Sequence, residues 1–423
     1  MNLLSIAIPF FLLALLAELL VDRIRGTGHY RLNDAVGSMS TGALNTTFGL
    51  FTKLLEVAVY GFVLEHFALN RLDLSLFDVS LRGIALWLFA LLLWDFCYYW
   101  AHRFGHEVGL FWAAHAVHHQ SEDYNLSTAL RQTSTGFLFG WVFYLPMFLL
   151  GIPVEVVATV AALDLIYQFW VHTQHIDRLG WADRVFVTPS NHRVHHAQND
   201  RYLDRNYGGI LILWDRLFGT FQQERADDPP VYGVRKPLHR FNPFVANLQV
   251  YAGLLRDTLS TRRWRDKLAL WMKPPAFRPA DLPAHPPPNL DEFRKFDPPL
   301  AVPLKRYILV QFVVAAVMTG TVAIAFPVLP IGSTLAVCAV LWLLLANIGA
   351  LNEGARNGVY YEALRLLLVG PAAVGYLLLR HSDVLTPGPA VTVVALYTLV
   401  SLLLLRAAAR SVGADVAGAA QAA

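Results

Sequence analysis

The feature that most constrains this chain is a succession of long apolar segments along its 423 residues. A helix that spans a bilayer needs about 20 mostly apolar residues. Only 15% of the residues are charged, against about 25% in soluble domains, so the apolar side chains exceed what one core can bury. We therefore expect an all-α, polytopic membrane protein with apolar segments near 3–20, 43–67, 81–100, 136–150, 153–171, 307–326, 331–351, 359–379 and 389–405.

Charge and cysteine content exclude several classes of protein. The formal net charge of +3 is too small to indicate a nucleic-acid partner. The two cysteines, Cys97 and Cys338, lie inside apolar stretches, which argues against a disulfide framework and against a cysteine-based zinc or iron–sulfur site. Residues 1–20 have no basic n-region and no small-residue cleavage site, so we expect a retained helix rather than a signal peptide.

Basic residues beside the apolar segments predict the orientation. Arg23 and Arg25 follow the first segment, and Lys305 and Arg306 precede the C-terminal ones. Basic residues in short loops favour the cytoplasmic side. We therefore expect two spans that cross out and back, then a histidine-rich cytoplasmic helical cap that includes the polar stretch 172–306, then four more spans. The pair at 136–150 and 153–171 is predicted to be a helical hairpin or two tilted spans, because fifteen residues reach only ~22 Å.

Composition also suggests how the chain is divided. Residues 274–306 contain many prolines, including Pro286-Pro287-Pro288, and read as an extended linker. We expect a catalytic unit over 1–273, this linker over 274–306, and a C-terminal four-helix membrane unit over 307–423. The segment 244–272 is predicted to be an amphipathic helix on the membrane surface. Polar residues of the C-terminal unit, Glu362 and Arg365 among them, are expected in a solvated cytoplasmic turn.

The chemistry of the chain is carried by its histidines, of which ten of 15 lie between residues 102 and 196. They form one HxxxH box and two HxxHH boxes, and two more histidines follow the apolar segment 153–171. On a helix, residues three and four apart share one face, so each box aligns its imidazoles. The boxes are His102-Arg-Phe-Gly-His106, His115-Ala-Val-His118-His119 and His192-Arg-Val-His195-His196, and the additional pair is His172 and His175.

Clustered imidazoles in this number predict a metal centre. Imidazole suits Fe, Zn, Cu and Ni, and eight to ten ligands exceed what one ion can hold, whereas two ions would use them. A closed structural zinc site takes four ligands, often cysteines, and is therefore disfavoured. A metal transporter is also disfavoured, because its ligands would lie within spans, whereas these boxes lie at span ends and in a polar loop.

The three boxes resemble those of the fatty acid hydroxylase and sterol desaturase superfamily of membrane di-iron enzymes. The segments 121–132 and 189–221 and the pair Tyr232-Gly233 are similar to the alkylglycerol monooxygenase branch of that superfamily, which cleaves ether lipids. The resemblance covers residues 30–260 by motif and the remainder by hydropathy alone.

This resemblance implies an oxidoreductase that hydroxylates a lipid C–H bond with O2, two iron ions and an external electron donor. In the branch resembled, the donor is a tetrahydropterin and the carbon is the ether-linked one of an alkylglycerol, which gives an aldehyde and a glycerol product. A sterol or fatty acyl desaturase or hydroxylase with the same centre remains an alternative. A non-catalytic membrane scaffold that keeps a metal site is an alternative of another class.

The resemblance also implies roles for individual residues. Glu107 is expected to support catalysis beside the metal centre or as a proton carrier, with a solvated helix residue as the alternative. His175 is an equally good candidate for a ligand or for an interfacial polar residue. The implied metal ligands are His102, His106, His115, His118, His119, His172, His192, His195 and His196.

Other polar residues near the boxes are candidates for supporting roles. Asp95 lies two helical turns before His102 and is expected either to orient a ligand imidazole or to form a salt bridge with Arg103 or Arg131. The candidates for contacts to ligand residues or to a lipid headgroup are Asn125, Arg131, Asn206 and Tyr207.

Overall fold

The computed structural model describes residues 3–72, 74–75, 78–284, 288–380 and 386–421. In these ranges helices make up the regular secondary structure, and β pairing is limited to single bridges such as Phe186 with Leu211. The all-α prediction is confirmed. Pro286 and Pro287 of the predicted linker lie outside the described residues.

The helices are named in chain order. Those before residue 220 are α1 (Leu3–Arg25), α2 (Leu32–Phe67), α3 (Leu81–Glu107), α4 (Gly109–His119), α5 (Leu126–Ala129), α6 (Leu145–Leu149), α7 (Val154–Trp170), α8 (Pro189–His195) and α9 (Leu213–Phe218). Those after it are α10 (Pro243–Ser260), α11 (Trp264–Met272), α12 (Val302–Ala325), α13 (Ile331–Asn352), α14 (Arg356–Leu364), α15 (Gly370–Arg380) and α16 (Pro387–Gln421).

Within the described ranges, six helical stretches are long and apolar enough to cross a membrane. Two lie before residue 108, of which α3 carries the first histidine box at its end, and four follow the proline-rich segment. These six match predicted apolar segments, whereas the predicted segment 3–20 forms α1, which is not among the candidate spans. A π-helical turn at Arg365–Val369 joins α14 to α15, so that these two helices form one stretch. The chain is therefore a multi-pass membrane protein, and the candidate spans are α2, α3, α12, α13, Arg356–Arg380 and Pro387–Arg410.

The predicted hairpin is present, but its first arm is short and irregular. Residues 136–144 form two 3₁₀ turns, Gly136–Leu138 and Gly140–Tyr144, before α6 begins. Gly151 reverses the chain between α6 and α7 with a φ of +82°, and a Cβ there would lie 1.8 Å from the carbonyl oxygen of Asn70. Neither arm is among the candidate spans, so the structure favours the hairpin over two tilted spans.

The chain forms two compact units. The first contains residues 1–30, 51–238 and 247–295, and the second contains 31–50, 239–246 and 296–423. All the histidine boxes belong to the first unit. The predicted division into 1–273, 274–306 and 307–423 stays a prediction.

Two helix ends in the first unit determine where the boxes lie. Ser80 caps the start of α3, because its Oγ accepts a hydrogen bond from the amide of Gly83 at 3.0 Å. Val108 is extended, with φ −126° and ψ 124°, so α3 stops and α4 starts in a new direction. Gly109 allows this junction, since a Cβ there would lie 2.5 Å from the carbonyl oxygen of Leu270.

The second unit packs its four apolar stretches around a polar pair. Glu362 and Arg365 are buried, and their side chains form an ion pair of 2.7 Å. The hydroxyl of Tyr307 donates to Glu362 at 2.7 Å. The expectation of a solvated turn is therefore wrong for these two residues. The segment 244–272 is likewise two helices, α10 and α11, rather than one.

Candidate metal centre

The last turns of α3 supply the first box. His102 and His106 are one helical turn apart and both are buried. Because α4 begins at a new angle after Val108, His115 and His119 on α4 face them, and the ring centroids of His106 and His119 are 4.6 Å apart. His195 on α8 completes the set, with its ring centroid 4.3 Å from that of His102.

These side chains form the first histidine group. One ring nitrogen from each member lies within 4.8 Å of those of all the others. Two of them, Nε2 of His115 and Nε2 of His119, are 3.0 Å apart. The members of the first histidine group are His102, His106, His115, His119 and His195.

A second histidine group lies beside the first, with ring nitrogens that also fall within 4.8 Å of one another. The Nε2 atom of His172 lies 3.2 Å from that of His118 and 3.1 Å from that of His192. His192 and His196 are separated by 3.2 Å between their Nε2 atoms. The group's members, His118, His172, His192 and His196, are all buried.

The two HxxHH boxes each divide between the groups in the same way. In each box the residues four apart share a group, so His115 and His119 belong to the first and His192 and His196 to the second. The middle histidine of each box, His118 or His195, belongs to the opposite group. Neighbouring residues on a helix differ by about 100° in direction, which separates His118 from His119.

Backbone carbonyls orient the rings at four positions. The Nδ1 atoms of His118 and His172 lie 2.9 Å and 2.8 Å from the carbonyl oxygens of Arg131 and Gln168. His102 and His195 make the same contact with Tyr207 and Arg205, at 2.8 Å and 3.0 Å. A carbonyl accepts, so Nδ1 carries the proton and Nε2 presents its lone pair to the pocket.

The groups fit metal ions. The Nε2 atoms of His102, His106 and His195 are buried without a hydrogen-bond partner, although buried polar groups are almost always partnered. Two nitrogens bound to one cation at about 2.1 Å lie about 3.0–3.4 Å apart, which matches the short contacts between Nε2 atoms. A cation in each group would satisfy these lone pairs.

The electrostatic environment keeps these ligands neutral. Burial lowers the pKa of His118 to about 4. A neutral imidazole is the form that binds metal, so the groups are ready for metal at neutral pH. Burial is also the main cause that holds the pKa well below that of free imidazole for His115, His119, His172, His192, His195 and His196.

All nine predicted ligands thus converge in two adjacent groups, and their role as ligands stays a prediction. Glu107 lies in neither group. Its carboxylate pairs with Arg103 at 3.0 Å and accepts from the hydroxyl of Tyr207 at 3.4 Å. The backbone carbonyl of Tyr207 contacts His102, so Glu107 is connected to the first group through one residue.

Asp95 has a different role from either of the two expected. Its carboxylate accepts hydrogen bonds from the amides of Ile210 and Leu211 at 2.7 Å and 3.1 Å and from Nε1 of Trp214 at 2.9 Å. It therefore binds the segment after Tyr207 to α3. The expectations of an imidazole contact or an Arg103 or Arg131 salt bridge are wrong.

Asp95→Asn should destabilise this attachment. An amide offers one acceptor oxygen to three donors, so at least one buried N–H loses its partner, at a cost of about 1–3 kcal/mol. We expect a lower midpoint of thermal unfolding in detergent. Asp200→Asn, at a side chain that is 94% exposed, is the control, and an equal midpoint for both variants would contradict the assignment.

The other candidates have structural contacts. Asn125 caps α5 by accepting from the amide of Ser127 at 3.0 Å. Arg131 donates to the carbonyl of Val117 at 2.7 Å. Asn206, at a φ of +57°, donates to the carbonyls of Asn191 and Gln222. These contacts fix the loops around the histidine groups.

His175 lies outside both histidine groups, in a third group with Asp22 and His29. Sequence reasoning missed Asp22 and His29, because neither belongs to a spaced motif. It also missed Arg193 and Glu224, which form an ion pair of 2.7 Å beside the third box. Only the folding of the chain brings these side chains together.

Comparisons with known proteins show which proteins this chain is similar to. A model of the fatty acid hydroxylase family matches residues 87–220, the range that holds both histidine groups. Alkylglycerol monooxygenase from Homo sapiens is 36% identical over 368 residues, which are 86% of this chain and 80% of that protein. The protein of the same name from Danio rerio is 33% identical over 372 residues, which are also 86% of this chain and 80% of that protein.

A more distant similarity is confined to part of the chain. Ornithine lipid hydroxylase OlsE from Rhizobium tropici is 33% identical over 132 residues, which are 31% of this chain and 40% of that protein. No solved structure matches the chain significantly.

Proposed function

This chain belongs to the alkylglycerol monooxygenase family and is a membrane lipid monooxygenase, and from that premise we propose that it cleaves the ether bond of alkylglycerols with a di-iron centre. The observation that carries the proposal is the convergence of five and four histidines in two adjacent groups, in which every member except the partly exposed His115 is buried. We propose that each group holds one iron ion.

The chemistry of the bound irons would be to activate O2, so that one oxygen atom enters a lipid C–H bond and the other leaves as water. This consumes two electrons and two protons. If the hydroxylated carbon bears the ether oxygen, the product is a hemiacetal, which separates into a fatty aldehyde and a glycerol. The protein's own part is to orient the imidazoles through carbonyls such as those of Arg131 and Gln168 and to exclude water from the groups.

We propose that electrons come from an external donor, a tetrahydropterin, and that the histidine groups face the cytoplasm. The support for the donor is the family. The support for the side is the placement of Arg23, Arg25, Lys305 and Arg306 next to apolar helices. Reaction of the purified protein with a tetrahydropterin in place of a protein reductase tests the donor.

We further propose that Glu107 carries protons to the centre. Its side chain is 38% exposed, so it meets solvent on one side and the Tyr207 hydroxyl on the other. Glu107→Gln should lower turnover about 10- to 100-fold, as loss of a partner just outside the ligands does, while the iron content stays unchanged. Glu65→Gln, at a carboxylate 71% exposed, is the control, and full turnover of the Glu107→Gln protein would contradict the role.

The function is tested with purified protein in detergent, an alkylglycerol, O2 and a tetrahydropterin. We expect fatty aldehyde and glycerol in equal amounts, with one O2 consumed for each aldehyde. Iron-loaded protein that forms no aldehyde but hydroxylates or desaturates a fatty acyl lipid or sterol would reject ether cleavage and support the alternative substrates.

A further inference from the structure

A third set of metal-binding side chains lies outside both histidine groups. Asp22 is at the end of α1, His29 is in the loop that follows, and His175 is in the turn after α7. One ligand atom from each of the three lies within 4.8 Å of the other two. All three residues belong to the first unit.

The Nε2 atom of His175 is the observation that points to a ligand. The side chain is 10% exposed, and Nε2 is buried without a hydrogen-bond partner. The nearest carboxylate oxygen, Oδ1 of Asp22, is 3.9 Å away, which is too far for a hydrogen bond. A cation with bonds of about 2.1 Å fits between two atoms at that separation.

The three side chains are held in place by other groups. Oδ1 of Asp22 accepts from the hydroxyl of Thr27 at 2.6 Å and from the amide of His29 at 2.8 Å. The carbonyl of His29 accepts from Asn125 at 2.8 Å, and the amide of His175 donates to Thr173 at 3.1 Å. In metal sites, hydrogen bonds from residues that do not bind the ion orient the residues that do.

Glu18 holds the same segments together from one turn earlier on α1. Its carboxylate accepts from the hydroxyl of Thr173, from the amide of Leu126 and from the hydroxyl of Tyr30. The end of α1 is therefore attached to the turn that carries His175. Burial is the main cause that lowers the pKa of His29, with His175 as the next, and both effects favour the neutral ring that binds metal.

We infer that Asp22, His29 and His175 form a separate binding site for a divalent transition-metal ion. Two imidazoles and one carboxylate suit Zn²⁺, Fe²⁺ or Co²⁺, whereas Mg²⁺ and Ca²⁺ require mostly oxygen ligands. The ion would cross-link the end of α1, its following loop and the turn after α7. His172, in the second histidine group, lies three residues before His175 in that turn, so the ion would also brace the candidate catalytic centre.

The test is the metal content of the whole chain in detergent after equilibration with Zn²⁺ and removal of loosely bound ions. We expect Asp22→Asn with His175→Gln to bind about one ion fewer per chain than the parent protein, because two of three ligands are lost. His29→Gln alone should give the same loss, and it keeps the contacts of Asp22 and His175. The result is the difference in the number of bound ions between the variant and the parent protein. It does not depend on how many ions the histidine groups bind, so the test is independent of the di-iron proposal.

Two controls separate this site from others. His66→Gln replaces a histidine whose side chain is 48% exposed, and it should leave the number of ions unchanged. Thermal unfolding in detergent, compared with that of the parent protein, shows whether the Asp22 and His175 variant is folded. An unchanged count in both the double variant and His29→Gln, with all proteins folded by thermal unfolding, would overturn the inference.

Discussion

Alanine at His106 or at His192 is expected to abolish lipid oxidation, with turnover reduced by more than about 1,000-fold, equivalent to about 4 kcal/mol of transition-state stabilisation. His106 belongs to the first histidine group and His192 to the second. If the two groups hold one iron each and both are needed to activate O2, loss of either group is sufficient. Turnover and iron content are measured on the same preparations.

The iron content makes the prediction specific to each group. Each single variant should lose up to one iron per chain, and the double variant should lose both without a further decrease in turnover, because residues that act as a unit are not additive. His66→Ala, outside both groups and 48% exposed, is the control. Full turnover in either single variant would contradict the assignment of two essential groups.

Much of this site could be predicted from spacing alone. The HxxxH and HxxHH boxes identify eight of the nine histidines that the folded chain brings together, because residues four apart on a helix share a face and a group. The expectation that all three imidazoles of an HxxHH box align on one face is wrong, since the middle histidine belongs to the other group. Spacing could not show how each HxxHH box divides between the groups. That division depends on the angle between α3 and α4 at Val108 and on where α8 lies, and both are set by tertiary packing.

The positions of the membrane helices can also be predicted from the sequence, since length and hydropathy define them. The conformation of residues 136–150 cannot, because an apolar segment of this length is compatible with a helix and with turns. Its 3₁₀ turns pack against helices instead of extending: the Tyr144 ring stacks on Trp94 of α3 at 4.1 Å between centroids.

The burial of charged side chains cannot be predicted from this sequence. The sequence predicts a solvated turn for Glu362 and Arg365, yet the two side chains pair within the second unit, and the Glu362 carboxylate also accepts a hydrogen bond from the hydroxyl of Tyr307. A sequence shows that a charged pair stands beside an apolar segment, but not whether a partner from a distant helix makes its burial tolerable. Asp95 is similar, since its three donors lie more than 100 residues away.

Replacement of Arg193 is expected to cause a large loss of stability. It lies between His192 and His195 on α8, and its guanidinium donates to both carboxylate oxygens of Glu224 at 2.8 Å and 2.7 Å. It also donates to the carbonyls of Thr173 and Ile176 at 3.1 Å and 2.8 Å. One side chain therefore connects the third box to the turn that carries His172.

Arg193→Met is expected to lower the free energy of unfolding by about 3–5 kcal/mol, because it leaves the carboxylate of Glu224 without its charged partner in a largely buried position. Arg193→Lys should be intermediate, since an ammonium cannot reproduce the bidentate contact. Combining Arg193→Met with Glu224→Leu should cost less than the sum of the single changes, because no charge is then left unpaired. Thermal or denaturant unfolding in detergent measures the parent protein and each of these variants.

The surface offers a matched control. Arg225 makes the same kind of two-bond contact with Asp227, but the two side chains are 51% and 63% exposed, so Arg225→Met should change stability little. The Arg193 variant should also lose iron from the second histidine group before the first, because His172, His192 and His196 flank the broken contacts. Equal losses of stability at Arg193 and Arg225, or an iron content unchanged by Arg193→Met, would mean that this ion pair does not hold the third box in place.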